Sequence, residues 1–299
     1  VRVLVTGATG FFGRRLVADA VAAGHSVVAP VRGTSDTRAI ARPGVHIVGY
    51  DDLAPDGFDA VVLAAGGGRV RDQAEADATN VTPTARALER IGDRDVPIVY
   101  VSSIAAAGPR GPHRAPPDAP DAPSSAYGRS KLRAEALVRA RGVVIRVPPL
   151  YGPGDDNWAP LVQAARRGFV PILGRDRTTS ILHVADLSSL VLRVLEGPRR
   201  QNVCWYADDG EVHRWGAIVE ALGAAVGRRV WPVTVPPVAL PWAAAAVTRL
   251  TGRTYLTADK LADAAHPHWV CSLPAPDVDW APKVGLYAGF AEMAAHSAP

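Results

Sequence analysis

Cysteine is scarce: Cys204 and Cys271 are the only two in 299 residues, and neither lies in a C-x-x-C pair. A disulfide-dense scaffold is excluded, and two separated thiols read as reduced cysteines of a cytoplasmic protein. Lysine is scarcer than the basic composition suggests. Arginine supplies nearly all of the 33 basic residues, and the lysines are Lys131, Lys260 and Lys283 alone. A lysine inside a chemical motif therefore carries weight here. No long block of one charge occurs, and the formal net charge is only +4. Nucleic acid is not an expected partner, although the sign suits an anionic ligand. Long apolar runs are also missing. The longest stretch, Val230–Val247, is broken by Pro232, Pro236, Pro237 and Pro241 and is short for a membrane span, so no membrane partner is expected. The chain enters a strand-like run at once, Val1-Arg2-Val3-Leu4-Val5, so no secretory leader is expected. No metal site is expected either. What is present is 48% hydrophobic and 21% charged residues, enough core for one large α/β domain or two modest ones.

Short apolar runs alternate with helical patterns through the first half. Val3–Thr6, Val27–Val31, Val45–Val48, Ala60–Ala65, Ile98–Ser102 and Val143–Val147 read as strands, and Arg14–Ala23, Asn80–Arg90 and Ser124–Ala140 as helices. Such alternation predicts a doubly wound parallel α/β sheet covered on both faces. After Tyr151 the strand rhythm weakens and proline and tryptophan become denser. The expected division is a dinucleotide-binding domain at 1–150, rejoined by 181–196 as a strand edge and helix. A smaller substrate-binding domain then comprises 151–180 and 197–299. The proline-rich stretch Gly108–Pro123 cannot be regular structure, and it is expected to border the active site.

Thr6-Gly7-Ala8-Thr9-Gly10-Phe11-Phe12-Gly13 follows the first strand and opens the first helix. Gly7 suits a tight turn, Gly10 a close approach of pyrophosphate, and Gly13 close packing of helix on sheet, with the helix N-terminus facing the phosphates. An NAD site would carry an acid at the end of the second strand. Val31 stands there instead, followed by Arg32, whose guanidinium can pair with a 2′-phosphate. NADP is the expected cofactor and NAD the alternative. Asp52 and Leu53 are expected to touch adenine. Ala65, Gly66 and Gly67, with Gly68, form a backbone floor beneath the cofactor.

Tyr127-Gly128-Arg129-Ser130-Lys131 is a Y-x-x-x-K on a helical segment, which puts both side chains on one face. With 7 tyrosines and the few lysines, composition alone gives about 0.07 such matches. An ammonium beside a phenol stabilises phenolate and brings a pKa near 10 toward neutrality. The fifth strand ends in Ser102-Ser103, where a hydroxyl can hydrogen-bond a reacting oxygen.

These motifs resemble those of the extended short-chain dehydrogenase/reductases, the NAD-dependent epimerase/dehydratase superfamily, with its Rossmann fold. The resemblance implies that Tyr127 is the acid–base residue, that Lys131 lowers its pKa and binds ribose, and that Ser103 polarises the carbonyl. Ser102 joins the implied cofactor contacts. Arg146-Val147-Pro148-Pro149-Leu150-Tyr151-Gly152 resembles the family segment whose backbone touches the nicotinamide, so Pro148 and Pro149 are implied there. Asn80 heads a helix as in the family's N-x-x-G-T signature, with Pro83 in place of its glycine. His183-Val184-Ala185-Asp186 resembles the H-V-x-D element. Ile104–Ala107 lacks the family dehydratases' acid pair. Thr179 stands where an epimerase carries a phosphate-clamping arginine, for which Arg175 or Arg177 could substitute. With Trp231, Trp242, Tyr255 and Trp269, the pattern is similar to dihydroflavonol-reductase and hydroxysteroid-dehydrogenase-like branches. The implied activity is NADP(H)-dependent reduction of a ketone or aldehyde of a small, largely apolar substrate, with Tyr127 as proton donor. The alternatives are a nucleotide-sugar 4-epimerase or deoxysugar ketoreductase, and a non-catalytic NADP-binding regulator. A homodimer through Asn80–Arg90 and Ser124–Ala140 is implied.

Overall fold

The computed structural model describes residues 1–54, 56–239, 242, 249 and 263–296. Tyr255, Lys260 and residues 240, 241 and 243–247 of the Val230–Val247 run lie outside the described residues. The chain runs β1 (Arg2–Thr6), α1 (Phe11–Ala22), β2 (Ser26–Val31), β3 (Val45–Gly49), β4 (Ala60–Leu63), α2 (Gln73–Ile91), β5 (Ile98–Ser103), α3 (Ala126–Val138) and β6 (Val143–Val147). Next come β7 (Leu150–Tyr151), α4 (Ala159–Arg166), β8 (Phe169–Ile172), β9 (Thr178–Thr179), β10 (Leu182–His183) and α5 (Val184–Glu196). Then follow β11 (Val203–Tyr206), β12 (His213–Arg214), α6 (Trp215–Ala225), β13 (Trp231–Thr234), β14 (His268–Trp269) and a final described helix, Leu286–His296.

Seven strands form one sheet in the order β11-β6-β5-β4-β1-β2-β3, and each neighbouring pair is parallel. Successive side chains of a strand point to opposite faces, so a run apolar at every position covers both. Val3 and Val5 pack with Leu16, Val17 and Ala20 of α1 and Leu187, Leu190 and Val191 of α5. Leu4, between them, faces the other way with Ala87 and Ile91 of α2 and Ala134 and Val138 of α3. This is the expected doubly wound Rossmann architecture.

The sheet edge differs from expectation. Residues 182–183 pair with β7 in a separate two-stranded ladder. The strand beside β6 is β11, so the sheet extends to Tyr206. The physical reason is the crossover: α5 packs against α1, and the chain must pass it before lying parallel to β6. A separate apolar cluster joins Trp158, Val162, Ile172, Ile218, Leu222 and Phe290.

Asn80 does not head a helix. α2 begins at Gln73, where Asp72 caps it by accepting from Glu75 N at 2.9 Å. Pro83 sits inside α2 without ending it. Its one lost backbone bond is outweighed by packing on α3, where Asn80 Nδ2 donates to Ser130 Oγ at 3.0 Å.

Candidate functional site

The order of strands reverses between β1 and β4, and the loops after both strands meet there. Thr6 is buried, and its hydroxyl accepts from Ala64 N and Ala65 N at 3.1 and 3.2 Å. Gly7 takes φ +71°, and a Cβ on it would lie 2.6 Å from Ala64 O. A Cβ on Gly13 would lie 2.1 Å from Gly7 O. These two absences of side chain bring α1 against the turn. Gly10 is the N-cap of α1 and supplies no side-chain cap, so the helix opens with its N–H groups unsatisfied by a side chain. They face a cavity of about 850 Å³ lined by Gly7, Thr9, Gly10, Phe11, Phe12 and Gly13. An uncapped helix N-terminus is a ready site for phosphate, so the residues present fit a dinucleotide.

Gly66 and Gly67 line the floor, together with Gly68. Gly66 has φ +148°, and a Cβ there would meet Asn80 Oδ1 at 2.4 Å. Asn80 is wholly buried; its side chain accepts from Gly67 N at 3.0 Å and donates to Gly67 O at 3.2 Å. Asn80 and Thr6 thus shape the floor from behind rather than line the cavity. Ala65 does not line it either. Leu53 lies in the apolar cluster under β4, and Asp52 is exposed beside Gly49. The expected adenine contacts are therefore outside the cavity. Arg32 is exposed and off the lining. The basic side chain that lines this end is Arg14, which the glycine pattern did not single out. Its charge reaches Asp36, whose carboxyl is held at about 2 chiefly by its Arg38 partner.

Further along the same cavity stand Ser103, Tyr127 and Lys131, with Pro148 and Pro149 opposite. Ser125 caps α3 by accepting from Gly128 N at 3.1 Å. That cap fixes the first turn, which carries Tyr127. The Ser103 hydroxyl faces the Tyr127 phenol across the cavity wall and favours its ionised form. Burial raises the phenol above its ordinary range, Ser103 opposes this, and Asp263 adds to the rise. The sequence led to the opposite direction. The reason is that the Lys131 ammonium is engaged elsewhere: Nζ donates to Val101 O at 2.7 Å and lies 4.4 Å from the Tyr100 ring centroid. Ser102 also lines the cavity, but its hydroxyl donates to Glu135 at 2.5 Å.

Lys131 is 5% exposed, and burial brings its pKa from 10.5 to about 8, against the pull of Glu135. A lysine depressed in the folded state costs stability. That cost is complete below pH 8 and disappears as pH rises toward 10.5, because the unfolded chain alone holds the proton in between. Lys131→Met is therefore expected to be more stable than wild type at pH 7 by about 1–2 kcal/mol, after Val101 O loses its donor. Calorimetric melting at pH 7 and pH 10 checks this; an equal gain at both would refute the charge argument.

The far end of the cavity is polar. Arg69, Asp155, Asp156, Asn157 and Asp263 line it with Trp158 and Trp269. Arg69 donates to Asn157 Oδ1 at 3.3 Å, and Asp263 accepts from Ser124 Oγ at 2.7 Å. Arg177 donates to the carbonyls of Ala264 and His266, so it holds the segment that carries Asp263. Thr179 is buried, its hydroxyl donating to Ser180 O. Neither Arg175 nor Arg177 lines the cavity. Trp231 and Trp242 are 57% and 79% exposed and off the cavity, so of the expected aromatic wall Trp269 is the described residue that lines it.

A model of the NAD dependent epimerase/dehydratase family matches residues 3–204. The chain belongs to that family. 2′-Dehydrokanamycin reductase of Streptomyces kanamyceticus is 31% identical over 81% of this chain and 71% of its own. dTDP-4-dehydrorhamnose reductase of Mycobacterium tuberculosis is 30% identical over 86% and 87%. Among solved structures, MoeE5 in complex with UDP-glucuronic acid and NAD superposes with a TM-score of 0.77 at 22% identity, covering 99% of both chains.

As a family member the chain keeps the H-V-x-D element in structural work. His183 caps α5, and Asp186 accepts from Lys283 N and Val284 N, both at 3.0 Å. The proline-rich Gly108–Pro123 loop, expected to border the site, does not line the cavity. Arg110 and Arg146 both pair with its Asp121, and Arg114 pairs with Asp208. These charges pin the loop to the sheet edge. No described helix is long and apolar enough to cross a membrane.

Proposed function

We propose that this epimerase/dehydratase family member is an NADP(H)-dependent ketoreductase acting on a polar, sugar-like ketone. The observation that carries the reading is that Ser103, Tyr127 and Lys131 line one cavity with the uncapped α1 N-terminus. A bound reduced nicotinamide would supply hydride to the carbonyl carbon. Tyr127, a neutral phenol at pH 7, gives its proton to the carbonyl oxygen, and the Ser103 hydroxyl donates a hydrogen bond to the same oxygen. Lys131 would hold the nicotinamide ribose, and Pro148 and Pro149, which line the same cavity, would help hold the nicotinamide. Two relatives are reductases by name, which favours reduction over epimerisation.

The polar side of the cavity directs the substrate reading. Carboxylates, an amide and a guanidinium offer hydrogen bonds to hydroxyl or amino groups, and Trp269 offers a flat apolar surface. A diphosphate would meet Asp156 and Asp263 there, and desolvating it against like charge costs several kcal/mol. For the cofactor, Arg32 at the end of β2 and Arg14 on α1 are the groups to receive a 2′-phosphate. Such a pair contributes about 1.5–3 kcal/mol, or roughly 10- to 150-fold in affinity.

The test is oxidation of NADPH and NADH with four panels: keto sugars, amino keto sugars, nucleotide keto sugars and apolar aryl ketones. Turnover of free keto sugars with NADPH, and an Arg32→Ala variant that weakens NADPH but leaves NADH little changed, are expected. Turnover confined to aryl ketones or to nucleotide sugars would overturn the substrate assignment. An Arg32→Ala variant with intact preference would remove Arg32 from the phosphate site.

A further inference from the structure

Beneath the catalytic pair lies a charge cluster that the proposed mechanism does not use. Glu135 is on α3, one turn beyond Lys131, and is 0% exposed. Its Oε1 accepts from Ser102 Oγ at 2.5 Å and from Arg146 Nε at 2.9 Å, and its Oε2 accepts from Arg146 Nη2 at 2.7 Å. Arg146, 3% exposed on β6, also donates to both oxygens of Asp121 at 2.7 and 2.6 Å and to Tyr206 Oη at 2.7 Å. One carboxylate thus ties the helix that carries Tyr127 and Lys131 to the strand end that carries Ser103.

We propose that Glu135 is a positioning residue for the reaction, anchoring α3 to β5 and β6 and serving as the buried counter-charge to Lys131. The inference rests on the catalytic roles proposed above for Tyr127 and Lys131. An apolar residue would fill the Glu135 site without a desolvation cost. Burying an ion pair there gains little stability over well-packed hydrophobic groups. What a carboxylate adds is geometry and field. Bidentate pairing with Arg146 fixes its orientation, and spacing of four residues on α3 puts it on the same helix face as Lys131.

The charged and titratable groups around Lys131 bear this out element by element. β5 presents Tyr100, whose ring lies under Nζ. α3 presents Tyr127 and Glu135, and just past its end Arg139 pairs with Glu135 Oε2 at 3.4 Å. β6 presents Arg146, whose charge is shared between Glu135 and Asp121. Segment 263–269 presents Asp263, which acts on Tyr127. Of these, Glu135 is the group that raises the Lys131 pKa against its burial. Without that charge Lys131 gives up its proton at lower pH, and every role that needs an ammonium ends earlier on the pH scale.

The sequence has only three lysines, so ¹³C-ε-lysine NMR of the whole protein resolves Lys131 directly, with Lys131→Met giving its assignment. In wild type the Lys131 signal is expected to titrate near pH 8. Glu135→Gln keeps the size and can still accept from Ser102. It is expected to lower that midpoint by about one pH unit and to move the alkaline limb of kcat/KM down with it, leaving KM for the ketone within about 2-fold. Asp121→Asn loosens the same cluster but leaves the charge beside Lys131, so midpoint and limb should stay in place. If Glu135→Gln melts earlier yet titrates like wild type, Glu135 is merely structural and the proposal fails. If Glu135→Gln does not fold, the wild-type titration decides, since a Lys131 midpoint below pH 7 would mean that Glu135 does not hold the ammonium. Loss of all turnover in wild type with a normal Lys131 titration would count against the ketoreductase reading alone.

Discussion

Tyr127→Phe is expected to lower the rate of carbonyl reduction by at least about 10²-fold, the usual scale for a missing general acid. The variant isolates the hydroxyl. The ring stays, and it is the ring that packs beside Gly68, where an added Cβ would sit 3.8 Å from it. The fold should therefore survive, and NADPH affinity should change little. Two features make the hydroxyl a proton donor at neutral pH. Burial holds the phenol protonated, and the Ser103 hydroxyl lines the same cavity. Single-turnover rates at saturating NADPH, with melting and cofactor titration alongside, check this. Near-wild-type turnover on the true substrate would sink the assignment of Tyr127 as the acid.

Much of this site was legible because its chemistry is local in sequence. The glycine turn, the Ser102-Ser103 strand end and Tyr127/Lys131 are each short motifs whose spacing maps onto one turn or one helix face. The sheet was legible because strands buried on both faces are apolar at every position. What escaped was non-local. Asp263 reaches the cavity from a segment more than a hundred residues beyond Tyr127, held by Arg177 through two backbone carbonyls. Nothing in the run around Asp263 signals that position. The same holds for Arg177, which in sequence looks like a phosphate ligand and in the fold is a brace. Asp52 and Leu53 were misplaced because the chain after β3 turns Leu53 into the core. Arg14 and Glu135, by contrast, had local signals. Arg14 directly follows Gly13, and Glu135 is four residues beyond Lys131, on the same helix face.

Gly13→Ala is expected to weaken dinucleotide binding by more than 10-fold and to destabilise the protein by about 3 kcal/mol or more. Intrinsic propensity argues the other way, since alanine is favoured over glycine inside a helix by roughly 1 kcal/mol. The clash decides the sign. A Cβ at this position would stand 2.1 Å from Gly7 O and 2.7 Å from Ala8 Cα. Both are backbone atoms of the turn itself, so no side chain can move aside. The turn cannot retreat either, because a Cβ on Gly7 would already be 2.6 Å from Ala64 O, and the Thr6 hydroxyl holds Ala64 and Ala65 in place. Relief must come from α1 lifting off the turn. That motion carries away the N–H groups that would face the phosphates and loosens Leu16 and Val17 from the sheet. Gly24→Ala is the control. Its φ of +83° brings backbone strain, yet a Cβ there meets nothing within 4 Å, so it should lose stability without losing affinity. Calorimetric binding of NADPH and thermal melting of both variants separate the two effects. A Gly13→Ala protein that binds NADPH as tightly as wild type would show that the α1 N-terminus does not hold the pyrophosphate.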